Sequence, residues 1–404
     1  MEILPEDAPT LAGEPTRTVR LGEATVTLLG TAHVSAASTR AVEDLVRSGQ
    51  FDAVAVELCE SRYRTMTRPD TLEQLDLFKV LREGKAGMVA ASLVLGAYQQ
   101  RLGSQFGINP GAEMQAAITG AREHRLPLLL VDREIGVTLR RVYRAVPWWQ
   151  RMTLISGLLA SILSRDSISE EELEHLKDGD ILESAFAEFA ERSPPLYATL
   201  IAERDRFMAA RLRQEVRRRP RAHILAVVGA GHLAGTARAL ESPPGEAAAE
   251  VAELSREPRR SIFLRVLPWA VVVLVLAGFA IGFSRNTELG WDLVIEWVLI
   301  NGGLAAIGAA VAAAHPLTVI GAFAAAPLTS LNPTIGAGFV TAAIEMALRR
   351  PRVADFRTLR DDATRLRGWW RNRVSRTLLV FLFSTLGSAL GTYLAGFRIA
   401  ERLL

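Results

Sequence analysis

The last third of the chain contains uncharged runs too long for the core of a small soluble domain. Nineteen residues from Val266 to Ser284 carry no charge, as do 48 from Trp297 to Ile344 and 21 from Thr377 to Phe397. A helix rising 1.5 Å per residue needs about 20 apolar residues to cross a bilayer core. The first and last runs each suffice for one crossing, and the middle run is too long for one. The spacing predicts spans at about 264–284, 293–314 and 377–397, with Trp269 as an interfacial anchor.

The remainder of the middle run holds Pro316, Pro327 and Pro333. Proline removes a donor and restricts the residue before it, so the helix should break at His315-Pro316 and again near Asn332-Pro333. Broken backbone at membrane depth persists only where protein or water covers it. Residues 317–348 are therefore expected to form a broken or re-entrant helix pair.

Charge fixes an expected orientation. Arg349 to Arg376 contains ten Arg against three Asp, and Arg256, Arg259, Arg260 and Arg265 precede the first span. Basic flanks stay cytoplasmic, which demands an even number of crossings between them. Two full spans and a re-entrant pair satisfy this. Asp292 and Glu296 read as groups that reach the interface, and His315 and Asn332 as caps of broken helices. The alternative is a polar path.

The N-terminus, Met1 to Asp7, lacks a basic stretch followed by an apolar core, so no signal peptide is expected. The N-terminal domain is expected on the cytoplasmic side of the cell (inner) membrane. A single cysteine, Cys59, excludes an intramolecular disulfide and a thiolate metal cluster. No nucleic-acid-binding module is visible. The Arg-rich segment is better matched to lipid head groups.

Residues 15–245 read as an α/β domain with a central, mostly parallel sheet and many helices. Residues 246–261 read as a linker, and 262–400 as an all-α multi-pass membrane domain. Thr18–Leu21, Gly22-Glu23 and Ala24–Leu29 predict a hairpin, followed by a helix from Ala36 to Arg47 with Ser35 as its N-cap. Ala53–Val56, Leu128–Val131 and Ile224–Val228 predict buried strands. Helices are expected at about 71–104, 111–124, 137–163, 168–191 and 195–217.

Four strands end alike. They lead into Gly30-Thr31-Ala32-His33, into Glu57, into Asp132-Arg133 and into Gly229-Ala230-Gly231-His232. In open α/β sheets the site forms beyond the carboxyl ends of the strands, where two G-x-x-H turns and two carboxylates would meet. Glycine permits a sharp turn. Imidazole and carboxylate are common ligands of divalent metals, and such a centre activates water. A histidine that only hydrogen-bonds its own turn is the plainer reading. His124 and His175 read as solvated, and His223 as structural.

These G-x-x-H turns, the strand end Val56-Glu57-Leu58-Cys59, the run Arg204 to Ala209 and the run Ala326 to Pro333 together resemble the TraB family. That family includes pheromone-shutdown membrane proteins of bacteria. It is similar to the Tiki metalloproteases and, more distantly, to the erythromycin-esterase and ChaN-like fold. The resemblance extends from about residue 18 to the end. It implies a divalent metal, manganese or cobalt by analogy, with zinc as a further candidate. His33 and His232 would be metal-associated, and Glu57 a ligand or general base. Arg204 and Asp205 would line the site, with Gly30, Thr31, Asp132, Arg133 and Gly229 in support.

The expected function is a membrane-tethered, metal-dependent hydrolase of the peptidase type, acting on a peptide or small signal. A non-catalytic protein that binds or regulates such a signal is the alternative. A transporter built on the broken helix ranks third, because three clear spans leave little protein to line a path unless the chain forms a homo-oligomer.

Overall fold

A computed structural model describes residues 10–31, 36–67, 76–83, 111–147, 193–220, 222–243, 245–257, 262–332 and 336–403, with scattered residues of 86–97 and 149–156. The chain forms two compact units. One comprises residues 1–69 and 99–258, the other 70–98 and 259–404.

The first unit is built on a six-stranded sheet in the order β1-β2-β3-β6-β4-β5. The strands are β1 Thr10–Leu11, β2 Glu14–Leu21, β3 Ala24–Thr31, β4 Ala53–Val56, β5 Leu128–Leu130 and β6 His223–Gly229. β2 and β3 form the expected hairpin, with Gly22 at φ +68° in its two-residue turn. The run β3-β6-β4-β5 is parallel throughout. β6, last in sequence, lies between β3 and β4. Its residues Ile224 to Val228 are fully buried, as a central strand covered on both faces requires.

The helices are α1 Ala36–Arg47, α2 Glu60–Thr67, α3 Leu77–Arg82, α4 Ala112–Glu123, α5 Ile135–Ala145, α6 Pro194–Tyr197, α7 Glu203–Arg218, α8 Ala230–Glu241 and α9 Ala247–Ser255. Two cores flank the sheet. One packs Met208 and Leu212 of α7 and Leu233, Ala237 and Leu240 of α8 on one face. The other packs Val42 and Leu45 of α1 and Met114 and Ile118 of α4 on the opposite face. A turn of π-helix, Ala198–Ala202, leads into α7. The helix expected at 168–191 and the N-cap Ser35 lie outside the described residues.

The helix expected at 71–104 takes a different place. Its described residues are α3 and helical pieces within 86–97, and they belong to the second unit. Leu77, Leu81, Ala86, Ala90, Leu93 and Ala97 join a core with Phe356, Leu359, Trp369 and Leu378. Ala86 to Tyr98 carries no charge, so its face buries against apolar helices rather than against the sheet.

The second unit consists of that segment and α10 Ile262–Arg285, α11 Thr287–Val311, α12 Pro316–Thr329, α13 Ala337–Leu348, α14 Val353–Arg357, α15 Leu359–Ala363, α16 Leu366–Arg371 and α17 Arg373–Leu403. Three helices are long and apolar enough to cross a membrane: Val266–Arg285, Thr287–Val311 and Arg373–Leu403. α12 and α13, of 14 and 12 residues, are too short to do so alone. Their outer ends meet at one level. Glu345 of α13 accepts from the His315 backbone N–H at 2.8 Å and from Thr318 Oγ1 at 2.7 Å, and Arg349 Nη1 donates to Ala313 O at 3.1 Å. Their inner ends meet the middle of the long helices. Trp297 Nε1 donates to Pro327 O at 3.2 Å, and Ser330 Oγ lies 2.8 Å from Ser388 Oγ, beside the Asn301 side chain. The pair is thus a hairpin whose two outer ends lie together at the Val311 end of α11.

Candidate functional site

The parallel register sets the carboxyl ends of the central strands level. Thr31 pairs with Gly229 and Val56 with Val227, and the Glu57 backbone N–H donates to Val227 O at 3.1 Å. Pairing continues past β5, where the Asp132 N–H donates to Leu58 O at 3.3 Å. Glu57, Asp132 and Gly229 therefore emerge side by side, and His232 lies on the first turn of α8.

Arg204, at the start of α7, holds them together. Its Nε and Nη2 donate to the two carboxylate oxygens of Asp132 at 2.9 and 2.8 Å. Nη2 also donates to Glu57 Oε1, and Nη1 lies 2.9 Å from His232 Nε2. The other oxygen of Glu57 accepts from the Gly229 backbone N–H at 2.7 Å. A guanidinium has no lone pair to offer, so His232 Nε2 is the acceptor. The proton is then on Nδ1, which donates to Asp205 Oδ1 at 2.6 Å. This pattern selects one tautomer, with Nε2 turned into the site 3.5 Å from Glu57 Oε1.

Glu57, Asp132, Asp205 and His232 are all buried. Burial alone would lower the Arg204 guanidinium, but Asp132 and Glu57 outweigh it and hold its pKa above the ordinary value. Burial raises the Asp205 carboxyl, an effect partly offset by its hydrogen bond to His232. The Arg204 guanidinium pairs directly with Glu57 and Asp132 and reaches Asp205 only through His232, so when all three carboxylates are ionised the site carries surplus negative charge.

The sequence places Glu57, Asp132, Arg204, Asp205, Gly229 and His232 at one site, and the structure brings these six together. Arg133 turns away from it. Its backbone N–H donates to Asp132 Oδ1 at 2.7 Å, while its buried guanidinium binds Thr138 Oγ1, Glu203 Oε2 and the Thr199 and Leu254 carbonyls. Thr31 Oγ1 donates to Val228 O at 3.1 Å, tying β3 to β6 below the site. Gly30 packs under Leu233 of α8. His33 lies outside the described residues. Among the described residues, no group of three or more His, Cys, Asp or Glu side chains is arranged to hold a metal ion.

Sequence reasoning missed three participants. Gly235 sits against Asp205, and a Cβ there would overlap the Asp205 carboxylate. Its position three residues after His232, on the same helix face, is the available signal. Glu203 accepts from Arg133 Nη1 at 2.7 Å and from Arg141 Nε and Nη2 at 2.7 and 2.8 Å, making a second ion-pair layer behind the site. The π-helical turn before Glu203 leaves no mark in the sequence.

Residues 16–242 match the TraB/PrgY/gumN family and residues 263–404 the C-terminal domain of TraB family proteins. An uncharacterised protein of Methanocaldococcus jannaschii is 32% identical over 386 residues, spanning 92% of this chain and 94% of that protein. TraB domain-containing proteins of Bos taurus and Homo sapiens are 33% and 32% identical, over 57% and 56% of this chain and 66% and 65% of their own lengths. With both halves matched in order and a relative aligned over nearly its full length, the chain belongs to the TraB family.

Proposed function

We propose that this chain is a membrane-anchored, divalent-metal-dependent hydrolase that acts on a peptide or small signal. The observation that carries the reading is the Asp205–His232 pair, which aims an unprotonated Nε2 at Glu57 beyond the ends of four parallel strands. The reading rests on donor chemistry, since no group of three ligand side chains is arranged for a metal among the described residues. His232 and Glu57 supply an imidazole lone pair and a carboxylate oxygen beside it in a site with excess negative charge, and the sequence motif nominates His33 as a third donor. His232, Glu57 and His33 would hold the ion, with manganese, cobalt or zinc as candidates. When bound, such an ion acidifies a water and polarises a carbonyl.

The chain's own residues have separable tasks. Asp205 keeps His232 in the tautomer whose Nε2 carries no proton, so that Nε2 can accept one once Arg204 is displaced from it. Glu57 is the second proton acceptor, fixed by the Gly229 N–H. Arg204 offers donors to an oxyanion or to a substrate carboxylate. Elemental analysis of the purified full chain should find stoichiometric metal, lost in His232→Ala and His33→Ala variants that keep their circular dichroism. Metal-free wild-type protein, or unchanged content in both variants, overturns the reading.

One observation favours a non-catalytic, signal-binding role. Arg204 already occupies Glu57, Asp132 and His232 together, so the site is closed by its own ion pairs. Full biological activity in Glu57→Gln would select that role.

The α12–α13 hairpin supports a membrane topology of two crossings, a re-entrant pair and a third crossing. Residues 349–376 then share the cytoplasmic side of the inner membrane with the first unit. Cysteines placed at Arg352 and Arg367 should react with an impermeant thiol reagent only after cells are opened.

A further inference from the structure

Between α13 and α17 the basic segment is a folded module. Asn372 is its hub. Its amide Nδ2 donates to Asp355 O at 2.6 Å and to Asp362 Oδ2 at 2.9 Å, and its Oδ1 caps α17 by accepting from the Val374 N–H at 2.9 Å. Trp369 Nε1 donates to Ala363 O at 3.0 Å inside the module. Gly368 packs on the backbone of Asp362 so closely that a Cβ would overlap it. Trp370 Nε1 donates to Val311 O at 2.8 Å, fixing the module at the end of the long apolar helix α11.

Two of the module's three acids, Asp355 and Asp362, are tied into its frame, and the third, Asp361, is exposed. Asp355 Oδ2 accepts from the Arg352 backbone N–H at 2.6 Å, and Asp362 Oδ2 accepts from Thr358 Oγ1 at 2.7 Å as well as from Asn372. The guanidiniums of Arg350, Arg352, Arg365, Arg367 and Arg371 are exposed and make no ion pair among the described residues. Val353 and Leu366, exposed by 54% and 43%, stand among them. A flexible basic loop would satisfy a charge-orientation rule equally well, so the order of this module needs a further cause.

We infer that this module is a binding surface for anionic phospholipid head groups of the bilayer in which α11 and α17 lie. Arginine forks match phosphodiester oxygens, and the exposed Val353 and Leu366 suit the adjoining acyl boundary. The module's attachment at Val311 and its continuity into α17 put these groups at the level where head groups meet an apolar span. A basic residue near an anionic membrane surface contributes about 1 kcal/mol, or about fivefold in partition.

The test uses the full chain in detergent with equal phosphatidylglycerol and phosphatidylcholine added, with bound lipid counted by native mass spectrometry. Wild-type protein should retain phosphatidylglycerol several-fold over phosphatidylcholine, and the preference should fall with added salt. The variant R365Q/R367Q/R371Q should lose most of it while keeping its helical circular dichroism. Should that variant fail to fold, R350Q/R352Q reads the same quantity with fewer changes. Equal retention of the two lipids by wild type overturns the inference. So does undiminished preference in a folded variant, or displacement of the lipid by millimolar inorganic phosphate.

Discussion

Arg204 is the side chain on which most of the site depends. Removing it leaves Glu57 and Asp132 buried beside each other without a cation. Breaking a buried pair from one side costs about 3–5 kcal/mol. Arg204→Met should therefore lower the thermal midpoint by several degrees and Arg204→Lys by less, because lysine keeps the charge but not the fork to Asp132. Gly235→Ala forces a methyl group onto Asp205. Such overpacking costs about 1–3 kcal/mol, and the displaced carboxylate should also free the His232 ring. An NMR signal of His232 Nδ1–H, shifted downfield by the short bond to Asp205, should disappear in this variant before the fold does. At the sheet edge, burial raises the pKa of Glu14, and the Ser38 hydroxyl that donates to it at 2.8 Å offsets this only in part. A carboxyl raised on folding contributes stability below its unfolded pKa and loses it as pH climbs through the folded value. Melting Glu14→Gln and wild type side by side should show the variant gaining on wild type between about pH 4 and 7. At this scale the sequence is informative where chemistry and strand ends coincide, as at Glu57 and His232. It is silent on Glu203, whose partners Arg133 and Arg141 are some 60–70 residues away in the chain.

Among elements, α11 and α17 meet through glycine. A Cβ at Gly308 would overlap Phe383 O, one at Gly387 would overlap Leu304 O, and one at Gly391 would press on Asn301 Cα. Backbones approach this closely only where side chains are absent. Gly387→Leu should separate them. The expected readout is loss of the folded species in detergent, with the first unit's sheet retained by circular dichroism. The hairpin α12–α13 depends instead on Glu345, which caps the first turn of α12 from the facing helix. Glu345→Ala leaves the His315 N–H and Thr318 hydroxyl without their partner. Loss of a cap costs about 1 kcal/mol, and more where the donors are buried. The break between the two helices is readable in Asn332-Pro333, because a missing donor needs no tertiary context, whereas Pro327 is carried inside α12. Their return to the same end is readable only through charge counting, since local sequence does not say whether a broken helix continues or doubles back. The π-helical turn is the opposite case. It lets the consecutive residues Glu203, Arg204 and Asp205 address three different partners, and no residue type marks it.

At the scale of the molecule, the two units are not consecutive along the chain. The sheet unit resumes at residue 99 after lending 70–98 to the helical unit. An apolar-run criterion misses this lending, because Ala86 to Tyr98 is too short to count as a span and too regular to look like anything but an ordinary core helix. The three long apolar helices after Val266 were legible as such because run length alone sets them. So was the parallel order of β3, β4 and β5, which alternation with helices implies. The insertion of β6 between β3 and β4 depends on a strand some 170 residues downstream. A protease site introduced between Ser242 and Pro258 tests the arrangement directly. After cleavage the sheet unit should stay with the membrane pellet and leave it only when the chain is also cut on both sides of 70–98.

The loan of 70–98 also means that this protein has no severable head. A polypeptide stopped after Pro258 would carry Leu77, Leu81, Ala90 and Leu93 with their cover removed, an oily strip in water. It should clump as it is made, and would stay dispersed only if that strip were replaced by a short polar bridge.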